Sequence, residues 1–392
     1  MASERREVAL WPYVVGAIVV LVVCFFLARL WRTDEARRKF EARVQALRDA
    51  GEPTEARELE RPFVPPERNA NYQLMQAHAW YQARDSRPRV RSRHLIDGNL
   101  DPAEEEKVRT FLTTLGPYLE QLERTVRCDG AYAERNWSDG PHRVDIPEFA
   151  AMTNAAEILA MLAFVDPATA AQHATLMLRL AERVHLPFML GDLLAGAYTT
   201  YAVKIFKAAA AAPSFDARAF REAVDPLIAR ALGAWGPDRQ RLRAERTLLI
   251  WVGRHPDAMA QYLAEEDPPL NPAAVYDDLH MKLDAIDAAI DASDVTPREA
   301  LSSKSEWAIV ENWFHQHGMQ AARLRLFRVA MALAEHRQEQ GSWPAGLAGL
   351  GPLPQDPVTG GSFAYVRTKA GARLFVDDPR ANDEECLRYE FK

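Results

Sequence analysis

Residues 146–184 read IPEFAAMTNAAEILAMLAFVDPATAAQHATLMLRLAERV. Two helices can be read in this stretch, 146–164 and 167–184, parted at Asp166-Pro167 because the residue before a proline is pushed out of helical backbone. A third is expected at 188–211. Their alanine-rich faces permit close helix–helix approach. Working toward the C-terminus, further helices are expected at 216–232, 238–252, 273–292 and 297–315. Toward the N-terminus, 71–82 is helical. Asp101 has the character of an N-cap, with Pro102 at the first helical position and Glu104, Glu105 and Glu106 complementing the helix dipole. That helix is expected to run to Arg127. Successive helices with short connections predict a mainly α fold with a solenoid-like or bundle body. No repeat of fixed period accompanies it.

Farther toward the N-terminus, residues 8–28 hold no charged side chain. At 1.5 Å per residue this run makes about 31 Å, close to the hydrocarbon thickness of a bilayer. Trp11, Tyr13 and Trp31 mark its two ends, and Arg29 and Arg32 close it. A cleaved signal peptide needs small residues before the cut, which Phe25-Phe26-Leu27-Ala28-Arg29 does not offer. A lipoprotein reading of Cys24 meets Val23 where a small residue belongs. A prepilin reading needs Glu five residues after Gly16, and Leu21 stands there. The stretch is therefore expected to be a retained transmembrane helix in contact with lipid. Residues 33–49 continue as a charged helix with Phe40, Val44 and Leu47 at helical spacing, stopped by Gly51 and Pro53. The proline-rich stretch 52–68 then reads as an extended linker. A basic loop with Arg84, Arg87, Arg89, Arg91 and Arg93 follows 71–82 and reads as a solvated connector, with a phosphate or lipid-headgroup site as the alternative.

At the other end, 320–340 is amphipathic, with Leu324, Phe327, Ala330, Met331 and Ala334 in one stripe, and Gly341 suits a left-handed helix stop. Three strand-like runs follow at 362–367, 372–376 and 387–391, expected as a small three-stranded antiparallel sheet.

This closing segment resembles the C-terminal part of type II secretion major pseudopilins. The matching elements are Gly341-Ser342-Trp343-Pro344, Asp356-Pro357-Val358-Thr359-Gly360 and the strands around Tyr365 and Leu374. The prepilin cleavage motif is missing, and the segment lies far from the apolar run. The whole chain also resembles a broad, uncharacterised group of membrane-anchored helical bacterial proteins, through Gly51-Glu52-Pro53, Cys128 and the helical stretch that follows. The resemblance implies architecture and location, and no activity. The resulting division is 1–32 as tail and transmembrane helix, 33–68 as helical stalk and linker, 69–316 as helical body, and 317–392 as a pseudopilin-like helix with its sheet.

Across all 392 residues the composition is that of an ordinary globular chain, 48% hydrophobic and 26% charged, and the net charge of −7 argues against a nucleic-acid surface. On orientation the observations divide. Arg5 and Arg6 precede the apolar run, whereas Arg32, Arg37, Arg38, Lys39, Arg43 and Arg48 follow it, which by the positive-inside rule places the body in the cytoplasm. Family resemblance places it outside, in the envelope of a bacterial inner membrane, and that is the expectation adopted. Cys128 and Cys386 can pair or stay apart.

Four groups of residues invite chemistry. Glu311 and His315 share a helix face, with His317 beyond them, and zinc needs three or four converging ligands. Asp277, Asp278 and His280, followed by Asp284, Asp287 and Asp291, suggest metal-dependent hydrolysis or simply an acidic face. Cys128, Asp129 and His142 could supply a nucleophile, an orienter and a base. The loop Asp377, Asp378, Asn382, Asp383, Glu384 and Glu385 offers oxygen ligands of the kind calcium takes, as some pseudopilins do there. Each group has a plainer structural explanation, so no catalytic, cofactor or metal residue is assigned. Phosphate-loop, Gly-x-Ser-x-Gly, His-Glu-x-x-His and Cys-x-x-Cys motifs are absent from the sequence. The function expected is a noncatalytic membrane-tethered interaction or scaffold protein with a protein partner. The alternatives are a membrane-tethered hydrolase with a site between helices, and an accessory of a secretion or pilus-type assembly.

Overall fold

The computed structural model describes residues 4–84, 92–96, 100–135, 145–184, 186, 190–233, 239–255, 272–292, 296, 299, 308–369, 371–377 and 387–391. The chain is mainly helical. In order run α1 (Glu4–Asp49), α2 (Ala70–Gln82), α3 (Ser92–Ile96), α4 (Pro102–Leu112), α5 (Gly116–Arg127), α6 (Pro147–Val165), α7 (Ala170–Arg183), α8 (Leu190–Ala209), α9 (Ala217–Gly233), α10 (Arg239–Arg254), α11 (Pro272–Asp291) and α12 (Ala308–Gln340). Strands β1 (Ala364–Arg367), β2 (Ala372–Phe375) and β3 (Arg388–Phe391) close the chain.

Helix α1 is unbroken, about 69 Å long at 1.5 Å per residue. Its two halves differ. Ile18, Leu21, Phe25, Phe26, Leu27, Leu30 and Trp31 are 53–69% exposed, whereas Ala36, Phe40 and Val44, spaced four apart on one face, are buried. Residues 33–49 were expected as a stalk; they share a core with α10, α11 and the first turns of α12. Gly51 ends the helix at φ +75°, and the amides of Gly51 and Glu52 turn back to the carbonyls of Arg48 and Leu47, 3.0 Å each. Beyond it, 52–68 is strapped to the body rather than loose. Thr54 is buried, the Glu58 carboxylate accepts from the amides of Thr54 (2.6 Å) and Glu55 (2.9 Å), and the Ala70 amide reaches the Gly130 carbonyl at 2.8 Å.

The larger core gathers α2–α9, the C-terminal two thirds of α12 and the sheet. Packing of α7 against α6, α8 and α9 makes it a bundle. Among the described residues α6 has the length and composition of a membrane span, but 56% of that window is buried within the body, which makes it the bundle's core helix. Two boundaries differ from the sequence reading. The helix expected from Asp101 to Arg127 is broken at 113–115, because Pro117 has no N–H to continue the ladder and its ring clashes one turn back. Its start is as expected, with the Glu104 amide on the Asp101 carboxylate at 2.8 Å. Conversely, no boundary falls at 316/317: α12 runs straight through Gly318. Glycine costs about 1 kcal/mol in a helix interior, and the burial of Trp313 and Phe314 on one side and Met319 and Ala322 on the other outweighs it. Thus α12 carries both cores on one shaft, Val310 to Phe314 in the smaller and Met319 onward in the larger.

The sheet is antiparallel in the order β1-β2-β3, with Leu374 opposite both Tyr365 and Tyr389. It docks through Tyr389, whose ring meets that of Phe206 at 6.1 Å, within a cluster that includes Phe220 and Phe327. Gly341 takes φ +67°, as expected of the helix stop, and Trp343 packs on Phe391 at 4.9 Å.

Candidate functional site

Polar side chains concentrate where α1 is seated on α10 and α11. Phe40 fills the seat. Around it runs a chain of charge: Arg43 reaches Asp284 (2.6 Å) and Asp287 (2.7 Å), Asp287 reaches Arg246 (2.9 Å), and Arg246 reaches Glu52 (2.5 Å), which Arg243 also holds at 2.8 Å. Arg246 is 4% exposed, so these contacts act with little solvent screening. Burial alone would raise the Glu52 carboxyl, but the bonds from Arg246 and Arg243 outweigh it and hold Glu52 below the usual carboxylate range. Between the 51–62 strap and α10 lies a cavity of about 510 Å³, lined by Arg48, Glu58, Arg61, Gln240, Arg241 and Arg243 among others.

A second polar cluster joins α8, α10 and α12. The Asp192 carboxylate pairs with Arg241, accepts from the Trp313 indole N–H at 3.2 Å, and lies 3.6 Å from His317 Nε2. The His317 ring packs against that of Trp313, tilted, with centroids 4.4 Å apart. Burial, with Arg241 adding to it, pushes the His317 pKa down to about 4, so the ring is neutral at pH 7. Gly191 lets Arg241 cross the start of α8: a β-carbon there would meet the guanidinium at 2.9 Å. A small cleft of about 150 Å³ between α8 and α12 opens beside this cluster.

Compared with family models, curated proteins and solved structures, the chain finds no match in any of the three. The site is therefore read from its own residues.

The residues singled out in the sequence are scattered among separate roles. His317 faces Asp192, and Glu311 and His315 are not brought to it as a metal set; among the described residues no group of three or more His, Cys, Asp or Glu converges on a point. The acidic face of α11 is an interface, in which Asp284 and Asp287 hold Arg43 while Asp278 pairs with Lys282 at 2.9 Å. His280 sits beside Phe40, its pKa lowered by burial and then by Arg43. Cys128 is 5% exposed and points its thiol at the carbonyls of Arg124 (3.4 Å) and Glu67 (3.9 Å). Burial raises that thiol, and Asp129 adds to the shift while itself bound to Arg68 at 3.0 Å, so the geometry does not activate a nucleophile. His142, Cys386, the acidic stretch 378–385 and the arginines at 87, 89 and 91 lie outside the described residues.

Sequence reasoning missed Asp192, Arg241 and the Glu52–Arg246–Asp287 chain. One signal was available: Arg239, Arg241, Arg243 and Arg246 crowd the start of α10 against one Glu245, a cationic surface in need of carboxylates from elsewhere in the fold.

Proposed function

We propose that the protein is a noncatalytic scaffold whose N-terminal helix sits in a lipid bilayer and whose helical body is held at a fixed stance above it. The observation that carries this reading is the division of α1: large apolar side chains bare from Val15 to Trp31, then Phe40 and Val44 fully buried on the same unbroken helix. A bilayer supplies the apolar surroundings that the bare half requires. Support for a noncatalytic role comes from how the carboxylates are used, since Glu52, Asp284 and Asp287 are consumed in fastening α1. Exposed Phe63 (72%), Tyr72 (43%) and Phe149 (42%) favour a protein partner on the body. The pseudopilin resemblance of the C-terminal unit points to an envelope location and, as an extension of this reading, to service near a secretion or pilus-type assembly.

Membranes from cells expressing the full chain, washed with alkaline carbonate, test the anchor: the protein stays with the lipid, and Leu21→Arg with Val22→Arg releases it. Recovery of the intact wild-type chain in the soluble fraction would refute the reading. A reporter after Lys392, active in one compartment only, fixes the side.

A hydrolase is the second reading, and the Asp192–His317 pairing beside a cleft favours it. Its test is metal content: stoichiometric zinc that disappears in His317→Ala would displace the scaffold reading.

A further inference from the structure

We propose that the cavity between the 51–62 strap and α10 is a binding site for a small phosphate-class anion. The volume, about 510 Å³, is that of a small-molecule site. Its lining places Arg48, Arg61, Arg241 and Arg243 around one space, and guanidinium is the side chain best matched to phosphate oxygens.

Most of the carboxylates nearby are already committed, and Glu55 meets Arg48 at 3.4 Å. Glu52 is taken by Arg243 and Arg246. Glu58 spends one oxygen on the amides of Thr54 and Glu55. Glu60 also lines the cavity and is exposed to solvent. Arg241 is paired with Asp192. Arg61 has no carboxylate partner among the described residues; it donates to Gln240 Oε1 at 3.4 Å. Arg61 and Arg241 are close enough to repel: after burial, the Arg61 charge is the second cause that lowers the Arg241 pKa, to about 10. Two like charges lining one cavity are relieved when an anion enters beside them.

The phosphate could come from solution or from a lipid headgroup. With α1 anchored as proposed above, the 17 residues of helix after Trp31, through Arg48, lift the cavity about 26 Å beyond the apolar segment, out of headgroup reach. The source is therefore a soluble anion. Only this point rests on the membrane reading; the site itself does not.

The test uses the full chain in neutral detergent, titrated with inorganic phosphate and with pyrophosphate against chloride at matched ionic strength. A saturable rise in melting temperature with the phosphates is expected, weakening as salt is added. Arg61→Gln, an exposed change that leaves the core intact, weakens binding about tenfold or more, the loss expected for a charge-assisted pair of hydrogen bonds. Arg127→Gln, an exposed change on α5, leaves it unchanged. No saturable response, or an equal response in Arg61→Gln, overturns the site. In vesicles of phosphatidylcholine with or without phosphatidylglycerol, the phosphate affinity should be the same. Competition by phosphatidylglycerol would overturn the soluble source in favour of a headgroup, and carbonate extraction reports separately on the anchor.

Discussion

The ring of Phe40 on α1 lies directly over the Cα of Gly253 on α10, so closely that a β-carbon at 253 would meet its Cε1 and Cε2 at 2.9 Å. Phe40 is completely buried there, between Gly253, Tyr276 at 5.6 Å and His280 at 6.1 Å. The missing side chain at 253 is what lets the two helices close.

Gly253→Ala is expected to destabilise the chain by about 1–3 kcal/mol through overpacking. The sign is informative, because the same change in an unobstructed helix stabilises by about 1 kcal/mol. Thermal unfolding in detergent decides it, and a raised melting temperature would contradict the contact. Phe40→Ala should cost about 3–5 kcal/mol.

Arg246→Met removes the buried cation that Glu52 and Asp287 share but leaves Arg243 and Arg43 on them, at an expected cost of about 1–3 kcal/mol. In a double-mutant cycle with Glu52→Gln the two changes should be non-additive by about 1 kcal/mol or more. Additive losses in urea unfolding would mean that the pair contributes nothing by its contact.

Acidification should destabilise the fold before its carboxylates titrate. Burial holds His173 and His317 at about 4, with Arg241 adding to the effect at His317, whereas an unfolded histidine titrates near 6.5. Between about pH 6.5 and pH 4 the unfolded chain binds more protons, so stability is full above this window and falls as pH falls through it, by up to about 3 kcal/mol per histidine. Glu52, held low by its arginines, adds a loss at more acid pH. Melting temperatures at pH 7 and pH 5 measure this, and His317→Gln should shrink the difference to the share that belongs to His173.

The loop before β1 is closed by one carboxylate. Asp356 is 1% exposed and accepts from the Val358 amide and the Thr359 hydroxyl, both at 2.9 Å. Asp356→Ala should cost about 1–3 kcal/mol, the penalty of leaving buried donors unmet. Hydrogen exchange should show faster exchange at the Val358 amide, and unchanged protection there would argue against this role.

Helix starts and stops were legible because they are written in adjacent residues: Asp101 with Pro102, Gly51, Gly341, and the break at Asp166-Pro167. The strands were legible as short strand-like runs at 362–367, 372–376 and 387–391. What could not be read was any relation across long separation. Nothing near Glu52 in sequence announces Arg246, and nothing near Trp313 announces Asp192. The α4–α5 break was missed although Pro117 was in view, because the apolar period continues on either side of it. Gly318 misled in the opposite direction, since a glycine alone cannot say whether its neighbours are buried deeply enough to carry the helix through. At the candidate site the residue types were visible, but partner choice was not, and partner choice decides whether an Asp or His is a ligand or a fastener.

Because the bare and the buried parts of α1 belong to one continuous rod, the body has no swivel. Whatever holds the exposed half of α1 therefore bears on the body's heading as well as its height, because the same helix ends beside the strap that carries Arg61.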